Sequence, residues 1–345
     1  MPDGAPRILV VRRDNIGDLV CTTPLLAALR KRFPDGWLAV LANSYNAPVL
    51  AGHPDLDAVF AYRKGKHVDA GIVALALERI GLVRQLRGRR LDSVVLATTA
   101  YQPRTLRFAR VLAPEHIVSF VGERAAPTID RPVSLAGTNG EHEVERVFRL
   151  ARAFGIEGPP PLLNIAVDET EAGRVRAALA ASGPNAAPIG IHLSARKPSQ
   201  RWPAARFVAL MRALHEHHGA AFMLFWSPGA ADHPQHPGDD GKASDVIKAT
   251  RNLPVLPWPT RELPSLVAGI AACRAMFMSD GGAMHVAAAL GRPIVCLFGK
   301  SDAVRWRPWG VPHRLLQPAS LDVADIDVGE VLAAWGSLDG SLRAG

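Results

Sequence analysis

One order of elements occurs twice in this chain, on either side of a run of three prolines, and that repetition restricts the fold more than any other feature. The first half opens with PRILVVRR (6–13), then PLLAALRKRFPDG (24–36), then WLAVLAN (37–43). The second half opens with APIGIHLSA (187–195), PAARFVALMRALHEHHG (203–219) and AAFMLFWSPG (220–229). Each is a short apolar run, a loop, a segment with helical spacing that ends at glycine, and a second apolar run. Further short runs follow at 58–62, 93–98, 117–122, 275–280 and 293–299. Between them lie helical patterns at 72–87, 105–113, 141–155, 262–273 and 283–291. Strands that alternate with helices predict parallel, doubly wound sheets. The chain of 345 residues is too long for one typical core. The segment GIEGPPPLL (155–163) can continue neither element and reads as the linker. The prediction is two Rossmann-like domains facing each other across a cleft, residues 1–160 and 161–326, with a terminal helix and tail at 327–345. A return of that helix onto the first domain is left open.

The composition is that of an ordinary globular protein, 48% hydrophobic and 21% charged. Forty Lys and Arg against 32 Asp and Glu give a net charge of +8, which suits phosphorylated ligands, nucleic acid or an anionic membrane surface. Cys21, Cys273 and Cys296 are scattered, with no C-x-x-C pair and no disulfide framework. MPDGAPR lacks a signal-peptide core, and no apolar run has the length needed to span a bilayer. The expectation is a reducing, cytoplasmic location.

Three patterns resemble sites and are read as structural. HEHH (215–218) falls short of a zinc-protease motif because Gly219 stands where the second histidine belongs. FGKS (298–301) is similar to the end of a phosphate-binding P-loop, but Ile294 occupies the required early glycine. Asp55-Leu56-Asp57 has the spacing by which sugar transferases hold a divalent ion, yet it follows His53-Pro54 and reads as a turn before a strand. The dinucleotide fingerprint G-x-G-x-x-G is absent from both halves.

Two kinds of strand-to-helix turn remain. In the first, RRDNIGDLVCTTP (12–24), one glycine, Gly17, stands among the carboxylates Asp14 and Asp18. A carboxylate at that edge repels a phosphate, so this turn calls for another chemistry. In the second, MSDGGAMHVAAALG (278–291), a buried run ends at Ser279-Asp280 and two glycines precede a helix. Gly281 and Gly282 let backbone amides approach a diphosphate at the helix N-terminus. An N-cap by Asp280 and a tight turn explain the same residues equally well. His285 either donates to phosphate or is simply packed. LSARKPSQRWPAARF (193–207) repeats the geometry, with Lys197 and Arg201 as cations beside a helix opened by Pro203. The loop WSPGAADHPQHPGDDGKA (226–243) carries Asp232, Asp239 and Asp240, any of which either holds a ribose or is solvated.

RRDNIGDLVCTTPLLAALRKRFP resembles the N-terminal signature of glycosyltransferase family 9, the heptosyltransferases of lipopolysaccharide core assembly, and SDGGAMHVAAALGRPIVCLFG resembles its C-terminal signature. The QRWP and SPG elements fall in the family's order, and the similarity runs from about Arg7 to about Gly310; residues 60–165 carry no matching signature. The resemblance implies a GT-B architecture, with the acceptor on the first domain and a nucleotide-sugar donor, ADP-heptose foremost, on the second. It implies inversion at the anomeric carbon with no metal and no further cofactor. It places the general base on Asp18, with Asp14 and Gly17 beside the acceptor; Asp14 is read as serving the turn, and capping of the helix is the alternative for Asp18.

On the donor side the resemblance sets Gly281 and Gly282 at the diphosphate, Asp280 near the sugar and Asp232 as a candidate for the ribose. Two departures stand out. Gly281 replaces a frequent Thr or Ser, and Gln200 falls where the family carries a lysine, so that cation comes from Lys197 or Arg201 or is missing. The partners implied are the donor and an anionic lipopolysaccharide-core or other lipid-linked saccharide, with peripheral contact at the inner membrane and no nucleic acid. Alternatives are a GT-B transferase or epimerase for another nucleotide sugar, and a nucleotide-binding protein without turnover. No aromatic-interleaved basic helix or RNA-recognition motif supports nucleic-acid binding.

Overall fold

The computed structural model describes residues 5–63, 72–100, 102–121, 128–183, 187–232 and 238–344. The chain divides into two compact units, residues 1–166 and 167–345.

In the first unit the chain runs β1 (Arg7–Val11), α1 (Ile16–Val20), α2 (Thr23–Arg32), β2 (Trp37–Asn43), β3 (Ala58–Tyr62), α3 (Ile72–Gly88) and β4 (Ser93–Leu96). It continues through α4 (Pro103–Leu112), β5 (His116–Val121), β6 (Arg131–Ser134) and α5 (Glu143–Phe148). The strands are parallel in the order β3-β2-β1-β4-β5-β6. Ile8, Leu9, Val10 and Val11 are all buried, because helices cover both faces of a parallel sheet. The order reverses between β1 and β4, where Val11 pairs with Leu96. In open α/β sheets ligands bind outside the strand ends at such a switch point. Asp57 ties β2 to α2 through Leu38 N (2.7 Å) and Arg30 Nη2 (2.6 Å), the turn-forming role read for Asp55-Leu56-Asp57.

The second unit opens with α6 (Glu169–Ser182), β7 (Ile189–His192), α7 (Ala204–His218), β8 (Phe222–Trp226), α8 (Asp240–Ala249) and β9 (Val255–Pro259). Then come α9 (Leu263–Ala271), β10 (Ala275–Ser279), α10 (Gly282–Ala289), β11 (Ile294–Leu297), α11 (Ala303–Trp306), β12 (His313–Leu316) and α12 (Val328–Ala344). Its parallel order, β9-β8-β7-β10-β11-β12, is that of the first unit, with the switch point between β7 and β10. The two doubly wound sheets predicted from the repeated pattern are therefore present.

Several elements differ from the sequence reading. The helix predicted over 141–155 is α5 followed by a 3₁₀ segment, Arg149–Phe154, ended by Gly155 at φ 70°. Part of the expected loop 226–243 is α8, and the edge strands β6 and β9 carry prolines that conceal them. The terminal helix takes up nearly all of the segment 327–345 that was expected to hold a helix and a tail, and it packs on α7, β11 and β12. Trp335 and Leu338 enter the second unit's core, with the Trp335 ring 5.4 Å from Phe277 and the Arg274 guanidinium 5.1 Å from its centroid. Among the described residues no helix is long and apolar enough to cross a membrane.

Trp335→Ala empties a fully enclosed site and is expected to cost about 3–5 kcal/mol. Urea denaturation followed by circular dichroism reads this directly. A loss of about 0.5 kcal/mol or less, typical of surface positions, would contradict the placement of α12 in the core.

Candidate functional site

The C-terminal edge of the first sheet is organised around one arginine. Arg12 follows β1 and is 1% exposed. Its Nη2 lies 2.6 Å from Asp18 Oδ1 and 2.9 Å from Glu143 Oε1, its Nε lies 3.2 Å from Asp14 Oδ2, and Nη1 donates to the Ala97 carbonyl. Burial works against the charge on Arg12, but Asp18, Glu143 and Asp14 together raise its pKa further above the ordinary value. Taking such a group out of water is costly and gives little net stability even when it is well paired. A guanidinium held by three carboxyl groups therefore points to a site that positions charge.

Asp18 sits in the first turn of α1. Its Oδ2 accepts from Asn15 N (3.2 Å) and Asn15 Nδ2 (2.9 Å), closing a capping box. The helix-capping alternative for Asp18 is thus realised in the same side chain that faces Arg12. Burial pushes the Asp18 pKa up, but Arg12 and the Asn15 bonds outweigh it, so the group ionises below the ordinary carboxylate value. A carboxylate has about four lone-pair sites. Three are filled among the described residues, and the side chain is 14% exposed, so one acceptor position remains there for an incoming hydroxyl. Asp14 is held by Thr98 Oγ1 (3.1 Å) and Gln102 Nε2 (3.4 Å), which knits the β1 turn to the β4 turn. Gly17 lies buried within α1.

The second switch point gathers a different set. Asp280 Oδ2 accepts from Gln200 Nε2 at 2.6 Å, and the same amide nitrogen lies 2.9 Å from Ser301 Oγ. Lys197 Nζ donates to that hydroxyl at 3.3 Å. Gln200 therefore links the β7, β10 and β11 loops where a lysine was expected, and the exposed Lys197 stands at its rim. The close approach depends on Gly299, since a Cβ there would fall 2.1 Å from the Ser199 carbonyl oxygen. Gly281 is extended at φ 165°, and a Cβ on it would meet nothing within 4 Å, so packing does not demand a glycine. Gly282 opens α10 and turns its first amides outward from β10.

Other candidates fall elsewhere. Arg201 Nε donates to the Ala195 carbonyl at 2.9 Å. His285 is 2% exposed, with its ring edge-on to Trp306 at 5.8 Å. Asp232 is exposed on the loop after β8, and the described contacts do not bring it to Asp280 or Gln200. Asp240 holds Trp226 Nε1 (2.7 Å) and Gly229 N (2.9 Å), a structural task.

Sequence reasoning missed Glu143, Ser301 and Lys242. Lys242 Nζ donates to the Leu193 carbonyl at the end of β7, and burial lowers its pKa to about 8. Burial likewise lowers the neighbouring His192 to about 4, leaving it neutral at pH 7.

The family model for glycosyltransferase family 9 (heptosyltransferase) matches residues 79–319. The chain belongs to this family. It is accordingly a glycosyltransferase, and the match reaches into residues 79–165, where no signature was legible. Lipopolysaccharide heptosyltransferase 3 of Escherichia coli is 25% identical over 300 residues, covering 85% of this chain and 83% of that protein. Lipopolysaccharide heptosyltransferase 2 of Escherichia coli K12 is 28% identical over 311 residues, covering 86% and 83%. Among solved structures, the E. coli ADP-heptose lipopolysaccharide heptosyltransferase II aligns with a TM-score of 0.77 at 22% identity, over 98% of this chain and 99% of that one. The family's GT-B type of fold agrees with the two parallel sheets.

Arg12→Gln leaves the surrounding carboxyl groups without their cation and is expected to destabilise the protein by about 3–5 kcal/mol at pH 7. Asp18 has a lowered folded pKa, so the stability it contributes is complete above the ordinary value of 3.8 and is lost as the pH falls through the folded value. The deficit of Arg12→Gln should therefore shrink below pH 3.8 in urea denaturation curves. A deficit independent of pH would mean that packing, not charge, had been removed.

Proposed function

We propose that this glycosyltransferase moves a heptose from ADP-heptose to a saccharide of the lipopolysaccharide core, with inversion at the anomeric carbon and no metal ion. The observation that carries the reading is Asp18. It is ionised, fixed by Arg12 on one oxygen and Asn15 on the other, with acceptor capacity remaining at the sheet edge. In this reading the acceptor hydroxyl gives its proton to the Asp18 carboxylate as its oxygen attacks the anomeric carbon, and the nucleoside diphosphate leaves. A base held in its anionic form is ready at neutral pH without prior deprotonation. Such catalysis is worth ~10²–10⁴ in rate, or roughly 3–5 kcal/mol of barrier.

The Asp280–Gln200–Ser301 cluster supports a donor site on the second unit. The amides at Gly281 and Gly282 and the ammonium of Lys197 would meet the diphosphate, while Asp280 lies beside them toward the sugar. Lys197 fits better than Arg201 as the replacement for the missing family lysine, because Arg201 is engaged with Ala195 and Lys197 reaches the cluster itself. The E. coli relatives are lipopolysaccharide heptosyltransferases, and the one of solved structure is an ADP-heptose lipopolysaccharide heptosyltransferase. A cytoplasmic enzyme with peripheral contact at the inner membrane would meet both substrates.

The test is nucleotide release from ADP-heptose with a lipopolysaccharide-core acceptor in EDTA. Asp18→Asn should lower kcat by about 10²–10⁴ while donor binding, measured by calorimetry, stays unchanged. Full activity in that variant would reduce Asp18 to a helix cap, and loss of transfer in EDTA would refute the metal-free mechanism.

A further inference from the structure

The helices α3 and α4 pack side by side over one face of the first sheet, and their outward faces combine two features that seldom share a solvated surface. The first is aliphatic. Leu77 is 64% exposed, Ile80 54% and Val111 51%. The second is cationic. Arg84, Arg87, Arg104 and Arg107 are exposed, and none has an ion-pair partner among the described residues. The sequences of the two helices contain six arginines and one acidic residue, Glu78, which lies 3.9 Å from Arg63.

Helical spacing puts these side chains in register. Leu77, Ile80, Arg84 and Arg87 follow steps of three and four residues and form one stripe, as do Arg104, Arg107 and Val111. The opposite side of α4 is buried through Thr105, Leu106, Ala109 and Leu112, and α3 buries Leu86. Both helices are therefore fixed to the sheet by their inner faces and present the mixed faces outward.

We propose that the outward face of α3 and α4 docks the protein on an anionic lipid bilayer. Guanidinium groups pair with the phosphate oxygens of lipid headgroups in bidentate geometry. Aliphatic side chains in the same layer reach the boundary of the acyl region, as in helices that lie in the membrane plane. A soluble polyanion would engage the arginines but give no gain for Leu77, Ile80 and Val111. Nucleic acid would call for aromatic stacking platforms, and among the described residues the exposed ones of this face include none. The orientation also fits. Crossover helices start at the C-terminal edge of the strands they follow, so Arg104, in the first turn of α4, lies two residues from Gln102, whose amide reaches Asp14. Docking on this face would set the edge that carries Asp14 and Asp18 close to a lipid-linked acceptor. The inference deepens the membrane contact proposed above and rests on it, but its first readout, vesicle binding, involves no catalysis.

Flotation with vesicles of phosphatidylglycerol and phosphatidylethanolamine, against vesicles of phosphatidylcholine, measures the interaction. The wild type should float with the anionic vesicles only, and less as salt rises. Arg84→Glu/Arg87→Glu/Arg104→Glu/Arg107→Glu should weaken binding by about tenfold or more. Leu77→Ser/Ile80→Ser/Val111→Ser should remove the part of binding that survives high salt. A control reversal of exposed arginines on the second unit, Arg174, Arg176, Arg251 and Arg343, should bind like the wild type. Transfer to a deacylated, water-soluble acceptor should stay unchanged in all of them, with unaltered circular dichroism. Absence of anionic-vesicle binding by the wild type, or equal loss in the control, would overturn the proposal. So would loss of activity on the soluble acceptor in the α3–α4 arginine variant, which would assign the face to a saccharide. Failure of transfer in every protein, with vesicle binding following the predicted order, would refute the heptosyl reading and leave the docking face standing.

Discussion

The C-terminal edge of the first unit's sheet depends on the charge of a single buried guanidinium. Arg12 joins the end of β1 to the turn that carries Asp14, to α1 through Asp18, to the β4 turn through Ala97 and to α5 through Glu143. Without a cation there, carboxyl groups from three segments would crowd one desolvated spot. With it, each is oriented, and Asp18 is held ionised. Catalytic sites commonly use burial and neighbouring charge to set the protonation state they need. Here burial alone would favour the neutral acid, and the paired arginine reverses that preference.

The two units reach their edges by the same topology and use them differently. At the β1/β4 switch point the chain supplies anionic groups, which suits the deprotonation of a hydroxyl. At the β7/β10 switch point it supplies a glycine turn, a helix N-terminus and a lysine, which suits a diphosphate. Gln200 is the distinctive residue of the second site. It is 4% exposed, and its amide ties Asp280 to Ser301 where a lysine would have ended at phosphate. On the function proposed above, the cation is displaced to the solvent side, at Lys197.

The repeated strands were legible because parallel strands are apolar on both faces, and ILVV, WLAVLA and PIVCLF state this without ambiguity. Asp18 and Asp280 could be singled out as candidates because they stand in strand-to-helix turns, where such folds gather ligands. Glu143 was not, because it meets Arg12 across 131 residues of sequence and looks like any acid at a helix start. Ser301 lay within a motif set aside as an incomplete P-loop, and its contact with Gln200 spans 101 residues. The strands VLPWP and RPVS were hidden by prolines that only an edge position tolerates. The terminal helix passes through Gly336 and Gly340, residues that disfavour a helix interior, yet Trp335 and Leu338 anchor it in the core. What sequence alone could not supply was contact between distant segments, and both switch points are made of such contacts.

The most direct measurement is the ionisation of Asp18 itself. Carboxyl carbon chemical shifts followed by NMR across acidic pH, in the wild type and in Asp14→Asn to remove the neighbouring signal, would report its pKa. The account predicts a value below the ordinary 3.8, because Arg12 and Asn15 outweigh burial. A value at or above 3.8 would contradict it, since burial would then prevail and Asp18 would not be the carboxylate that Arg12 holds ready.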